Sequence, residues 1–341
     1  MLSDAWKILN LIYHGACLLA TFSVIAYWMY MFLLNEDTSL VEYKRYYEEK
    51  SDVFPALSLC FSNPFSAAKL GQASAGSNPT SYSKFLSGED MSSKMKAIDY
   101  KSITMNITDS VIRYWVAFHN GSDQYYEATE KLFVNSFAGF MEIVGTKRFY
   151  GCFQLQIPND KNIWFLSVEL KNSIFPDDTR PMHYDFFTLI HHPNQLLTSL
   201  ASLRYSWAEH RTNSSYSMRF KVDKVDYIHR RNKISKPCHD DWKHYDDVVL
   251  GEHTRKIGCR APYQGISKGV RLCSNKAEMK QSRFFLRSDL NGMLQPCKTL
   301  QKVTYEYSEY DLSTTENADT NSFWIGLMFF DPYFMEITQT R

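Results

Sequence analysis

The chain has 341 residues, with 38 Lys and Arg against 37 Asp and Glu and a formal net charge of +1. Such a balance offers no electrostatic footprint for nucleic acid or for a strongly acidic partner. The length leaves room for one large domain or two small ones beyond any membrane anchor.

Residues 1–7 form a short head, and from Ile8 to Leu34 there is no acid, Lys or Arg. At about 1.5 Å per residue, residues 8–34 reach roughly 40 Å against a hydrocarbon core of about 30 Å, which predicts one tilted transmembrane helix. Trp6 at one end and Tyr27, Trp28 and Tyr30 at the other suit the headgroup layer. A cleaved signal peptide fits less well, because the apolar run is about twice a normal signal core and no small-residue cleavage site follows it. Lys7 lies before the span and Glu36 and Asp37 after it, a weak positive-inside bias. N-glycosylation sequons at Asn106, Asn120 and Asn213 all follow the span. Together these cues predict a cytosolic N-terminus and an extracellular domain over 35–341.

Of seven cysteines, Cys17 lies in the span. Cys60, Cys152, Cys238, Cys259, Cys273 and Cys297 remain, six in a glycosylatable domain, which indicates a disulfide framework with fifteen possible connectivities. No CxxC, HExxH or paired Cys/His spacing marks a metal site, and no catalytic or cofactor signature is present. His191-His192 before Pro193 reads as a loop pair.

Past the span, Val53 to Phe65 alternates and is punctuated by Pro55 and Pro64, predicting a short strand and a turn. Gly71 to Ser93 is rich in Gly and Ser and predicts an exposed, variable loop. Lys94 to Gly139 is ambiguous, with a helical patch over Tyr126 to Val134. Phe149 to Leu170 predicts two strands around a turn at Pro158 to Asp160, and Ser215 to Phe220 and Val222 to Ile228 a further pair. Asp240 to Ile257 carries Trp242, Tyr245, Val248, Val249, His253 and Ile257 near one helical face. Asn275 to Leu290 predicts a second helix with Ser274 as N-cap and Asn291-Gly292 as its stop. Val303 to Tyr307 and Ser322 to Phe330 return to strand. The acidic pairs Asp177-Asp178, Asp240-Asp241 and Asp246-Asp247 read as solvated surface, since neighbours on a helix do not face each other.

Phe54-Pro55-Ala56-Leu57-Ser58-Leu59-Cys60 after a first span resembles the signature of the degenerin, epithelial sodium channel and acid-sensing channel family. Gly151-Cys152-Phe153 is similar to that family's later Gly-x-Cys-aromatic strand. Pro237-Cys238, Gly258-Cys259, Pro262-Tyr263, Leu272-Cys273 and Pro296-Cys297 resemble its cysteine-rich thumb. Pro332 to Gln339 looks, more loosely, like its approach to a second span. The resemblance runs from about Trp6 to Arg341.

The resemblance implies an α+β ectodomain with a β-strand palm, a finger-like region over about 71–140, a helical thumb over about 238–297 and return strands over 298–341. It implies the bridges Cys60–Cys152, Cys238–Cys297 and, nested within the latter, Cys259–Cys273. It further implies an amiloride-sensitive, sodium-selective channel of the plasma membrane, a homo- or heterotrimer with related subunits, in contact with lipid and sodium ions. Tyr27 and Tyr30 become candidate gating contacts. Two departures stand out: no second run of 18 apolar residues precedes Arg341, and His14-Gly15 lies inside the first run, so no gating role is carried onto it. The expectation is a channel subunit lacking its second span. The alternatives are a single-pass receptor or adhesion glycoprotein, or a type II Golgi enzyme, the last disfavoured by the lack of an Asp-x-Asp metal motif.

Overall fold

The computed structural model describes residues 2–34, 39–46, 54–118, 120–127, 133–143, 146–155, 163–171, 186–194, 205–207, 216–230, 237–239, 242–264, 269–282, 295–311, 322–329 and 333–339. The chain is α+β, with one N-terminal apolar helix, two principal sheets and three disulfides. Helix α1 spans Leu2–Leu34, and its segment Asn10–Tyr30 is long and apolar enough to cross a membrane. None of that segment's most apolar window is buried against the rest of the chain.

Strand β1 (Ser39–Arg45) follows, then β2 (Ala56–Ser62), every residue of which is buried. Four short helices come next: α2 (Ala67–Ala73), α3 (Pro79–Leu86), α4 (Ser93–Lys96) and α5 (Tyr100–Ile103). Much of the Gly/Ser-rich stretch read as a loop is therefore helical. The reason is local: Asn78 caps α3 by accepting from the Ser81 N–H at 2.8 Å, the Ser81 hydroxyl returns to the Asn78 N–H, and Pro79 opens the first turn. Tyr82, Phe85 and Leu86 then face inward.

The remaining strands are β3 (Val111–Phe118), β4 (Asp123–Glu127), β5 (Phe133–Ile143), β6 (Thr146–Leu155), β7 (Ile163–Lys171), β8 (Phe186–His191), β9 (Tyr205–Trp207) and β10 (Tyr216–Arg230). After the two-residue β11 (Cys238–His239) come helices α6 (Trp242–Ile257) and α7 (Lys276–Ser282), then β12 (Gln295–Pro296), β13 (Lys298–Asp311), β14 (Ser322–Phe329) and β15 (Tyr333–Gln339). The two strands expected over Ser215 to Ile228 are one continuous strand, β10, which keeps its ladder to β13 through two register shifts. The expected helix over Tyr126 to Val134 has strand at both described ends, in β4 and β5. The turn at Pro158 to Asp160, the pairs Asp177-Asp178 and Asp240-Asp241, and the expected helix beyond Ser282 lie outside the described residues.

The larger sheet runs β1-β15-β10-β14-β7-β3-β4, with β13 on the other flank of β10. The smaller runs β5-β6-β2-β8-β9. Alternation decides what lies between them: Leu57, Leu59 and Phe61 of β2, with Phe153 and Phe186, share one core with Val116, Leu166, Val168, Phe220 and Ile325 of the larger sheet. Cys60 sits opposite Cys152 in the β2–β6 ladder and is bonded to it. Beside that bridge the chain needs glycine at 151, because a Cβ there would stand 2.5 Å from Pro64 Cγ.

A second core joins α3 and α4 to the segment holding α7. Phe65, Tyr82, Phe85, Met95 and Phe149 pack with Cys259, Cys273 and Met279. Cys259–Cys273 is bridged inside this core, and Cys238–Cys297 closes the base of the helical segment.

Candidate coupling site at the end of the sheet nearest the helix

Four strands converge at one end of the larger sheet. Strand β1 begins five positions after the end of α1 and pairs antiparallel with β15, so that Ser39 lies opposite Gln339. Strand β15 runs parallel to β10, with Arg230 opposite Gln339, and β10 pairs with β13, with His229 opposite Lys298. The first and last described strands are thus neighbours, and both reach the end of the sheet that follows α1 in the chain.

Alternation along β15 turns Phe334, Glu336 and Thr338 to one face. Phe334 enters the core, and Glu336 is buried beside it. A buried carboxylate needs compensating charge. Three strands supply it: Lys298 Nζ on β13 donates to Glu336 Oε2 at 3.2 Å, Lys44 Nζ on β1 lies 3.5 Å from Oε1, and His229 Nδ1 on β10 lies 3.4 Å from Oε1. Burial raises the Glu336 carboxyl, but Lys298, Lys44 and His229 outweigh it and hold the group below the usual carboxylate range. Lys298 also lies over the Tyr227 ring, 5.3 Å from its centroid, and Tyr227 packs edge-on against Phe334. Burial, then the charge of Glu336, pushes the Tyr227 hydroxyl up.

The network continues into the smaller sheet. His192 meets Tyr227 edge-on at 5.7 Å. Of the pair His191-His192 read as a loop, His191 ends β8 and only His192 lies beyond it, and both side chains are buried. His191 Nδ1 lies 2.8 Å from the His192 carbonyl oxygen, which can only accept, so the proton sits on Nδ1. Nε2 then accepts from the Ser58 hydroxyl at 2.9 Å. His192 Nδ1 accepts from the Asn194 N–H at 3.2 Å, so the neutral ring carries its proton on Nε2. Burial lowers His191 to about 4, partly opposed by its bond to His192. Burial, then Lys298 and His191, lowers His192 to about 3.

The helical segment is clamped to the same place. Cys297 immediately precedes Lys298 and is bonded to Cys238. The Arg230 N–H donates to the Cys297 carbonyl at 2.8 Å, and the Cys297 N–H to the His239 carbonyl at 2.9 Å. Further out, Gln264 donates to the Ser282 carbonyl and accepts from the Ala261 N–H, while His253 Nε2 lies 3.2 Å from the same Ser282 oxygen. Arg271 and the Ser274 N–H grip Glu278, holding its carboxyl at about 2. Lys96 of α4 donates to the Ser274 carbonyl at 2.8 Å, tying the short helices to this segment.

Of the residues singled out in sequence, Tyr27 and Tyr30 are exposed on α1, and the Tyr27 ring meets Trp28. Asn106 is exposed and caps a short 3-10 turn, and Asn120 is exposed in the turn between β3 and β4. Asn213 lies outside the described residues. Cys259, Cys273 and Glu278 bring two sulfurs and a carboxylate together, but the sulfurs are joined in a disulfide and are spent as metal ligands. The Lys44–His229–Lys298–Glu336 cluster was missed in sequence. Its one signal is a lone acid at an inward position of an apolar strand.

No family model and no curated protein matches the chain. Among solved structures it is similar to a proton-activated chloride channel seen by cryo-EM, at 9% identity and a TM-score of 0.30, over 97% of this chain and 84% of that one.

Proposed function

We propose that this chain is a subunit of a trimeric, sodium-selective, amiloride-sensitive channel of the plasma membrane, gated through its ectodomain, with α1 as a membrane span and the N-terminus cytosolic. The single observation that carries the channel reading is the pairing of β1 with β15. It brings the last described residues back beside the first span, where a second pore-forming segment would enter the bilayer. Sodium preference, amiloride block, trimeric assembly and related partner subunits rest on the sequence resemblance alone. In this reading the helical segment at 242–282 is the moving part. Its displacement acts on Lys298 through the Cys238–Cys297 clamp, and from there on Glu336 of β15 and Lys44 of β1.

The test is expression in a cell of low background conductance, alone and with related subunits. The expected result is an inward sodium current blocked by amiloride, with gating altered by Glu336→Gln at unchanged surface delivery. Repeated absence of current despite surface delivery overturns the channel reading. A second reading, a single-pass receptor or adhesion glycoprotein, shares the N-terminal helix that is long and apolar enough to span a membrane. Surface delivery without current in any subunit combination would favour it.

A further inference from the structure

Helix α1 presents three different faces along the span Asn10–Tyr30. At about 100° per residue, Asn10, His14, Cys17 and Thr21 fall within roughly 60° of its circumference and form one polar stripe. Leu11, Leu18, Leu19 and Phe22 gather about 120° away on one side. Ala16, Ala20 and Ser23 form a ridge of small side chains about 120° away on the other. Asn10, His14, Cys17 and Thr21 are all exposed, and none of the span's most apolar window is buried against the described residues.

The three faces ask for three neighbours. Leucine and phenylalanine suit lipid, and a ridge of small residues suits the close approach of another helix. The polar stripe suits neither. Histidine at membrane depth is costly and turns toward protein or water, and Asn10 and His14 are too bulky for the close contact that the ridge permits. A helix seated on the ridge, whether from this chain or another, leaves the stripe at the flank of that contact. Water serves every group along it, donating to and accepting from the Asn10 amide and the His14 ring. Thr21 asks for less, since its hydroxyl already donates to the Cys17 carbonyl at 2.9 Å.

The stripe also has an end. From Asn10 to Thr21 it climbs about 16 Å, roughly half of a hydrocarbon core of about 30 Å. Beyond Thr21 the same line of the helix carries Val24, Ile25 and Trp28. Resting on the proposed span of α1 in a channel subunit, we infer that the Asn10–His14–Cys17–Thr21 face lines a water-filled crevice. It opens at the N-terminal side of the membrane, admits hydrated cations and stops near mid-depth. No acid, Lys or Arg lies between Ile8 and Leu34, so its wall on this helix is neutral and hydrogen-bonding.

The native thiol reports on it. Cys17 is free, and the other six cysteines are bridged. A thiol reacts as its thiolate, which apolar surroundings suppress. The full-length chain, in membrane fragments open on both sides, is treated with a cationic, membrane-impermeant methanethiosulfonate, and the adduct is read by mass. Cys17 is expected to react at least about tenfold faster than Leu18→Cys or Leu19→Cys placed in a Cys17→Ser background. In that background Thr21→Cys is expected to react and Ile25→Cys to stay inert. In a conducting assembly the Cys17 adduct is expected to reduce the sodium current by about half or more. A Cys17 thiol as slow as that of Leu18→Cys overturns the inference, whether lipid or a helix covers it, and so does full labelling with unchanged current. Current from an assembly whose Cys17 is inert leaves the channel reading standing without the crevice. A labelled Cys17 with no current in any subunit combination leaves the crevice standing without the channel.

Discussion

At the scale of single residues, Glu336 illustrates how a buried charge ties separate strands together. Its carboxylate is shared by two lysines and a histidine from three strands. Removing one partner of a well-buried pair costs about 3–5 kcal/mol, but Lys44 and Lys298 are more than a quarter exposed, and solvent screens them. Glu336→Ala is therefore expected to destabilise the full-length chain by about 1–3 kcal/mol, seen as a lower melting temperature in detergent. Glu336→Gln should do the same more weakly. His191 and His192 give a pH dependence whose sign is fixed. Both are lowered in the folded state, to about 4 and about 3, so between those values and about 6.5 the unfolded chain binds protons that the folded chain refuses. Their contribution is complete above about pH 6.5 and is lost as pH falls, by up to about 1.4 kcal/mol per pH unit for each histidine. Denaturant titrations from pH 7 to 5 should show that slope, and His192→Asn should flatten it. Neither feature was fully legible in sequence. A Glu in an apolar strand is visible, but its partners come from positions 44, 229 and 298, and the burial of the histidine pair depends on the packing of two sheets.

Among the elements, α6 was legible because an apolar stripe at helical spacing survives in isolation, and it begins at Trp242 and ends at Ile257 as that stripe does. Helix α3 was not, because it lies in the Gly/Ser-rich stretch read as an exposed loop, where Asn78 and Pro79 in fact make an N-cap and a first helical turn. The strands expected over Ser215 to Phe220 and Val222 to Ile228 are one strand, β10, whose apolar alternation changes phase at the register shift between Val222 and Lys224. The cysteines announce a disulfide framework, yet spacing does not choose among its connectivities; the ladder that sets Cys60 opposite Cys152 does. Contact between α3 and α7 turns on Gly88, with φ +71° and a would-be Cβ 3.1 Å from both the Lys276 carbonyl oxygen and Met279 Cβ. Gly88→Ala is expected to cost about 1–2 kcal/mol through left-handed strain and crowding. It should raise hydrogen exchange across 276–282 while leaving β10 and β14 protected.

For the molecule as a whole, order in space departs from order in sequence. One edge strand of the larger sheet, β1, is the first described strand, and its neighbour β15 is the last described one. Deleting 333–341 should leave β1 without its ladder and the lower half of β10 with an open flank. Such a chain is expected to be retained inside the cell, which a surface-biotinylation assay would report. The Cys238–Cys297 bridge closes a separation of 59 residues at the foot of the helical segment. In the chain-entropy picture that is worth about 4 kcal/mol. The Cys238→Ser/Cys297→Ser double variant should melt earlier and uncouple changes in the helical segment from Lys298.

The antiparallel pairing of β1 with β15 also determines how the protein answers mechanical load. Ser39 and Gln339 sit at the same end of the ladder, the end that follows α1 in the chain and that faces the bilayer in the proposed topology. A pull on both ends along the strand axis moves the two strands together and strains no bond between them. A pull that separates them within the plane of the membrane loads the ladder one rung at a time, beginning at Ser39–Gln339 and reaching Glu42–Glu336 three residue pairs later. The juxtamembrane ladder is therefore a zipper for lateral tension and a stiff rod for vertical tension, with the Glu336 cluster as the point where unzipping meets resistance.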